Sequence, residues 1–302
     1  MRVGRRGKAE RFAVSLGRSR RAWPWGRQSR AGRRASVVVA AFDGWNDAGE
    51  AASRAVGHLG LAWGAVPVAE IDPEEFFDFT DLRPEVSIVE GEQREVSWPA
   101  TTVSFAGGDP EGPDVVLLEG PEPHLRWGHY CDAVVALARR ARAARVVMLG
   151  AYLSEVSHAR PVPLSGVSSD GGLLARHGLG PTLYEGPTGI VGVLGPALAR
   201  AGIAATSIWA SVPYYSTPVS AKAALALVRI AAQIVGRPVE TSGLEEEAAE
   251  YERRMDELVR DDENVAAYVA RLEEMEDIVG AGLSAEGLAE EIQRYLRGRQ
   301  LG

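Results

Sequence analysis

Cysteine is nearly absent from this 302-residue chain, where Cys131 stands alone. No intrachain disulfide can form, a reducing compartment fits, and the cytoplasm is the expected location. Cys131 sits in the helix-like pattern HYCDAVVALA with no second cysteine beside it. It reads as a buried, inert thiol, because a reactive thiolate needs an electropositive and accessible setting. Lysine is almost as scarce, Lys222 being the only one after residue 34. The glycine-rich stretches match neither the phosphate loop GxxxxGK(S/T) nor the dinucleotide fingerprint GxGxxG, and no cofactor is expected. Of five histidines, His124 and His129 lie five apart without a third ligand near them, so no metal site is expected. No GxSxG elbow is present to support a serine hydrolase. Long apolar runs are missing as well. None approaches the roughly 18 residues of a membrane span, and FAVSL at 12–16 is too short for the core of a secretory signal. No membrane partner is expected.

What is present is an ordinary globular composition, 46% hydrophobic and 25% charged, with a divided charge. Residues 1–34 carry twelve bases against the single acid Glu10, a net of +11. The remaining chain holds 21 bases and 40 acids, a net of −19. An acidic body argues against nucleic acid as the main partner. The basic start lacks a sustained apolar period and is expected to be a disordered tail, or sequence upstream of the true start.

From residue 36 to about 235, strand-like and helix-like runs alternate. Residues 36–42, 66–71, 115–119, 145–152 and 206–212 are short apolar runs bounded by Gly, Pro or charge, as fully buried strands are. EVSIVEGEQREVSW (85–98) alternates about Gly91 and predicts an antiparallel hairpin. Helices are expected over 47–59, 127–142, 189–201 and 220–235. IDPEEF predicts another, with Asp72 as N-cap, Pro73 at the first position and Glu75 closing a capping box. The pattern is α/β, with a mixed sheet covered on both faces. Beyond GRPVETSG (236–243) no strand signal remains, and 17 acids face 7 bases. Leu244, Ala248, Tyr251, Met255 and Leu258 are spaced as an amphipathic helix. DDEN (261–264) opens a second helix, and a last is expected over about 285–297. Their apolar stripes pack either on the parent domain or against a second copy. The expected organisation is therefore a basic tail (1–34), an α/β core domain (35–240) and a C-terminal helical region (241–302).

Candidate functional residues lie in the loops that follow buried strands, where open α/β sheets hold their ligands. FDGWNDAG (42–49) supplies Asp43, Gly44, Trp45, Asn46 and Asp47. Gly44 permits a tight turn, and Asn46 or Asp47 is expected to cap the following helix. GPEPHLRW (120–127) supplies Glu122, Arg126 and Trp127. YEGPTGIVGVLG (184–195) supplies Gly186, Thr188 and Gly189, and its N–H groups at Gly189–Ile190 could hold an anion. PYYSTP (213–218) supplies Tyr214. Asp43, Trp45, Asn46, Glu122, Arg126, Thr188 and Tyr214 are expected around one cleft. Asp43 with Arg126 is read first as a pair fixing two loops, with an anion-binding Arg126 and acid–base catalysis as alternatives. No catalytic residue can be assigned. His158 is expected to fix its loop by a hydrogen bond.

The ordered stretches VVVAAFDGWNDAGEAAS, EIDPEEFFDF, LLEGPEPHLRW, RPVPLSG, YEGPTGIVGVL and SIWASVPYY resemble the proteasome assembly chaperone 2 family, in the branch found in actinobacteria. The resemblance covers about residues 36–297. It implies a three-layer α/β/α sandwich similar to purine nucleoside phosphorylase-type folds, followed by a helical C-terminal region. It also implies kinship with chaperones that help assemble proteasome α-rings, and some relatives are labelled carboxylate–amine ligases of the ATP-grasp type. No lysine-bearing nucleotide loop or paired metal carboxylates appear here to match that label. The hydrophobic–Tyr–any-residue tail by which kin dock the proteasome is also missing, since the chain ends Arg299–Gln300–Leu301–Gly302. The expected function is chaperone-like protein binding, with proteasome subunits among the partners and a homo-oligomer, a trimer in particular, as the assembly. The alternative is an enzyme, or a binder of a small anion or nucleoside-like ligand, with its site at the strand ends.

Overall fold

The computed structural model describes residues 14–15 and 35–280, apart from 90–92, 110–111, 183 and 217. Its centre is four parallel strands whose sequences are almost wholly apolar, because both of their faces are covered. These are β2 (Ser36–Asp43), β7 (Asp114–Pro121), β8 (Ala143–Ser154) and β11 (Ala204–Pro213). Val39 of β2 lies opposite Leu117 on one side and Val147 on the other. Beside β7 the sheet continues antiparallel through β6 (Thr101–Ala106) and β3 (Val66–Ile71) to β1 (Val14–Ser15). Beside β11 it continues through antiparallel β9 (Leu164–Ser168) to β10 (Gly180–Pro181), giving nine strands in the order β1-β3-β6-β7-β2-β8-β11-β9-β10. The expected hairpin forms a separate two-stranded sheet, β4 (Glu85–Val89) with β5 (Gln93–Ser97); its Gly91 turn lies outside the described residues.

Alternate residues of each strand serve opposite faces. Val37, Val39 and Ala41 pack with α1 (Ala51–Ala62), α5 (Ala221–Val235) and α6 (Ser242–Asp261). Val38, Ala40 and Phe42 pack with α2 (Trp127–Ala141) and α4 (Ile190–Arg200). The result is the expected three-layer α/β/α sandwich with a mixed sheet. A short α3 (Leu173–Arg176) lies between β9 and β10, and α7 (Glu263–Gly280) follows α6. Cys131 is buried in α2, and that burial pushes its thiol up to about 11, as an inert thiol requires.

The helical stripe at 244–258 is settled in favour of the parent domain for most of its length. Leu244, Ala248, Tyr251 and Met255 belong to the same buried cluster as α5, while Leu258 stays exposed. DDEN opens α7 as expected, with Asp262 Oδ1 accepting from Asn264 N at 2.8 Å. IDPEEF differs from expectation. Only a 3-10 turn forms over Pro73–Glu75, and Asp72 accepts from Glu74 N rather than completing a reciprocal box. Glu75 is drawn away to an ion pair with Arg126. The basic start, except for Val14–Ser15, and the helix expected over 285–297 lie outside the described residues.

Candidate functional site

Because β7, β2, β8 and β11 run parallel, the loops after Pro121, Asp43, Ser154 and Pro213 emerge at one edge of the sheet. The loop after β2 is held there by backbone contacts. Gly44 takes φ +100°, a conformation that favours glycine, so that Asp47 N can donate back to Gly44 O at 3.1 Å. Asn46 O accepts from Ala151 N at 2.8 Å, stitching the loop to β8, and Gly49 O accepts from Ser220 N at 2.8 Å, stitching it to the start of α5. Glu50 occupies the N-cap position of α1, but Asp47 does the capping from before the intervening turn: its Oδ1 accepts from Ala52 N at 2.6 Å and from Ser53 N at 3.4 Å.

Asn46 has a different task. Fully buried, it donates from Nδ2 to Glu122 Oε1 at 2.7 Å, and the same carboxylate oxygen accepts from Ile190 N at 2.6 Å. Glu122 N in turn donates to Asp43 O at 3.1 Å. The start of α4 thus already holds an anion, the chain's own Glu122, and the N–H read as an anion site is occupied by it. Gly189 is needed for room rather than for its dihedrals, since a Cβ there would collide with the Asn46 and Glu122 side chains. Three loops separated in sequence are locked by this one carboxylate.

The other expected residues divide between the two faces of the edge. Arg126, at φ +52° before α2, pairs with Glu75 rather than with Asp43. The reason is geometric, because Asp43 continues the α1-side register of β2 while Arg126 starts a helix on the opposite face. Trp127 is half-buried and donates from its indole to Pro123 O. Thr188 packs over Gly192, and Gly186 adopts φ +155° beside the Tyr184 ring. Trp45 and Tyr214 are 60% and 59% exposed. On the α1 side, burial and then the nearby Glu50 raise the pKa of Asp43, while burial and then Asp43 raise that of Glu119. Burial raises Asp47 too, opposed by its hydrogen bonds from Ser53 and Ala52. The single cleft expected around all seven residues is replaced by a lock (Asn46, Glu122, Gly189), an acidic group beside α1 and exposed aromatics.

A polar cluster beside this edge went largely unforeseen. His158, 4% exposed, donates from its backbone N to Tyr215 Oη at 2.9 Å; its Nδ1 lies 2.8 Å from that oxygen and its Nε2 3.1 Å from Asp256 Oδ1. Lys222 Nζ donates to His158 O at 2.5 Å and pairs with Glu252 at 2.6 Å. The histidine does fix its loop, as expected, but it does so against α6, and the isolation of Lys222 in the composition was the available signal. Among the described residues no group of three His, Cys, Asp or Glu side chains is placed to hold a metal. No described helix is long and apolar enough to cross a membrane.

A family model described as the PAC2 family matches residues 41–259, a span that includes all of these loops. No curated protein matches the chain. Among solved structures, a PAC2 family protein from Streptomyces avermitilis is 43% identical, with 78% of this chain and 99% of that one covered at a TM-score of 0.72. A proteasome-assembly chaperone homologue from Mycobacterium tuberculosis is 42% identical, with 77% and 99% covered at 0.71. PbaB, an archaeal proteasome activator from Pyrococcus furiosus, shares the fold at 17% identity, with 76% and 96% covered and a TM-score of 0.59. With the match spanning most of the chain and reaching from β2 into α6, this protein belongs to the PAC2 family.

Proposed function

We propose that this protein works by binding other proteins in a chaperone-like role, with proteasome subunits as the partner class. The observation that carries this reading is the contrast at the carboxyl edge. The groups that catalysis would need free are engaged in structure: Glu122 in the lock, Arg126 with Glu75 and Asp47 in its cap. Trp45 and Tyr214 are instead left exposed, and aromatics of this kind dominate interface energetics. The relative named a proteasome-assembly chaperone homologue supports the choice of partner. The test is binding of actinobacterial proteasome α-subunits to the immobilised chain. Trp45→Ala with Tyr214→Ala should weaken that binding at least ten-fold, about 1.4 kcal/mol; unchanged binding would remove the edge from the interface.

Self-association belongs to the same proposal. A lone two-stranded hairpin is marginal in water, yet β4 and β5 leave Val86, Ile88 and Val96 exposed. Covering them in a homo-oligomer accounts for their retention, and Ile88→Lys should then lower the mass seen by light scattering. The enzyme reading has one observation in its favour, the raised pKa of Asp43 and Glu119. A turnover abolished by Asp43→Asn in a folded protein would establish it.

A further inference from the structure

The carboxyl edge is short of positive charge. Asp43 and Glu119 end the α1-side registers of β2 and β7, Glu155 follows β8, and Glu185 lies in the loop before α4. Neither these acids nor Glu122 has an ion-pair partner among the described residues. Most bases nearby are already matched, Arg126 by Glu75, Arg160 by Asp277 and Lys222 by Glu252; Arg271, over the Tyr268 ring that Glu155 and Tyr214 also approach, is one cation against these five acids. The deficit extends inward. Asn46 Oδ1 is a buried acceptor with no donor beside the Glu122 carboxylate. Between the acids stand exposed apolar surfaces, Trp45 after β2, Leu153 near the end of β8 and Tyr214 after β11. β2 and β11 are separated by β8 alone, so these surfaces cover about 10 Å across the edge, the reach of three or four extended residues.

We infer that this edge receives an apolar protein segment bearing arginine or lysine. Its apolar groups lie on Trp45, Leu153 and Tyr214, and its cationic heads lie among Asp43, Glu155 and Glu185. A guanidinium or ammonium over the exposed Trp45 ring also gains cation–π attraction. The same field repels nucleic acid and acidic peptides. This inference rests on the protein-binding reading and names the chemistry of its partner.

The test uses the full chain and two fluorescein-labelled 12-residue peptides, one of alternating Arg, Leu and Tyr, the other with Glu in place of each Arg. Anisotropy titrations at low and at physiological salt should show the Arg peptide binding and weakening steeply with salt, with the Glu peptide bound far more weakly. Trp45→Ala should weaken the Arg peptide about ten-fold. Asp43→Asn combined with Glu155→Gln and Glu185→Gln, all outside the Asn46–Glu122 lock, should flatten the salt dependence. Equal binding of the two peptides would overturn the inference. So would Arg-peptide binding indifferent to both sets of substitutions, which would assign it to other acids such as those of α6. If the Arg peptide fails while capture of proteasome subunits still depends on Trp45, the cationic segment falls and the protein-binding reading stands. If that capture is independent of Trp45, both fall.

Discussion

Asp43 shows how a single residue changes meaning once its neighbours are known. Paired with Arg126 it would be a structural anion, and Asn in its place would be costly. Facing Glu50 and Glu119 instead, its charged form is the unfavourable one. Asp43, Asp47 and Glu119 all bind their protons more tightly in the folded state, so their contribution to stability is full below the ordinary carboxylate range. It is lost as pH rises through their elevated folded values. Asp43→Asn should therefore raise the melting temperature at pH 7 and leave it nearly unchanged at a pH well below the ordinary carboxylate range, as calorimetry at the two pH values would show. Gly189→Ala should do the reverse of stabilise. Its Cβ falls on Asn46 and Glu122, and overpacking of this kind costs about 1–3 kcal/mol, measurable by urea denaturation. The members of the lock stood among the candidate residues, and the Gly189–Ile190 N–H groups were read as able to hold an anion, but that Glu122 is that anion was not legible in advance. Asn46 and Glu122 are 76 positions apart, and no local pattern encodes which loop a carboxylate reaches across to.

At the scale of elements, legibility followed burial. The parallel strands announced themselves because a strand covered on both faces must be apolar throughout, and their observed limits extend the expected ones by only a residue or two at either end. β6 (TTVSFA) and β9 (LSGVS) gave no such signal, since Thr, Ser and Gly leave the period weak and their regularity comes from pairing with β7 and β11. The turn at Pro73–Glu75 had good helix-opening residues but stops after one turn, as Glu75 is engaged by Arg126. The helix α6 carries a consequence of its own. Met255 is fully buried in the cluster shared with α5, so Met255→Ala should cost about 2–5 kcal/mol. Denaturant unfolding of the full chain would check this, and a near-neutral effect would show that α6 is held only loosely to the body.

Taken whole, the molecule is a rigid sheet that presents a chemically uneven edge. Its parallel centre aligns four loop starts, the lock and the backbone stitches to β8 and α5 hold three of those loops in place, and the acids and aromatics are displayed on the result. Preorganisation of this sort lowers the ordering cost of binding a partner. The carboxyl edge was foreseeable from strand order alone; its division into a lock, an acidic side and an aromatic rim was not, because that depends on which face each strand's last residue takes. The most direct measurement is amide hydrogen exchange of the chain, free and bound to proteasome α-subunits. The account predicts slowed exchange in the loops at 44–50, 152–157, 184–189 and 213–216, with the opposite edge of the sheet unaffected. Protection confined to the β4–β5 hairpin or to α6 and α7, with those four loops unchanged, would contradict it.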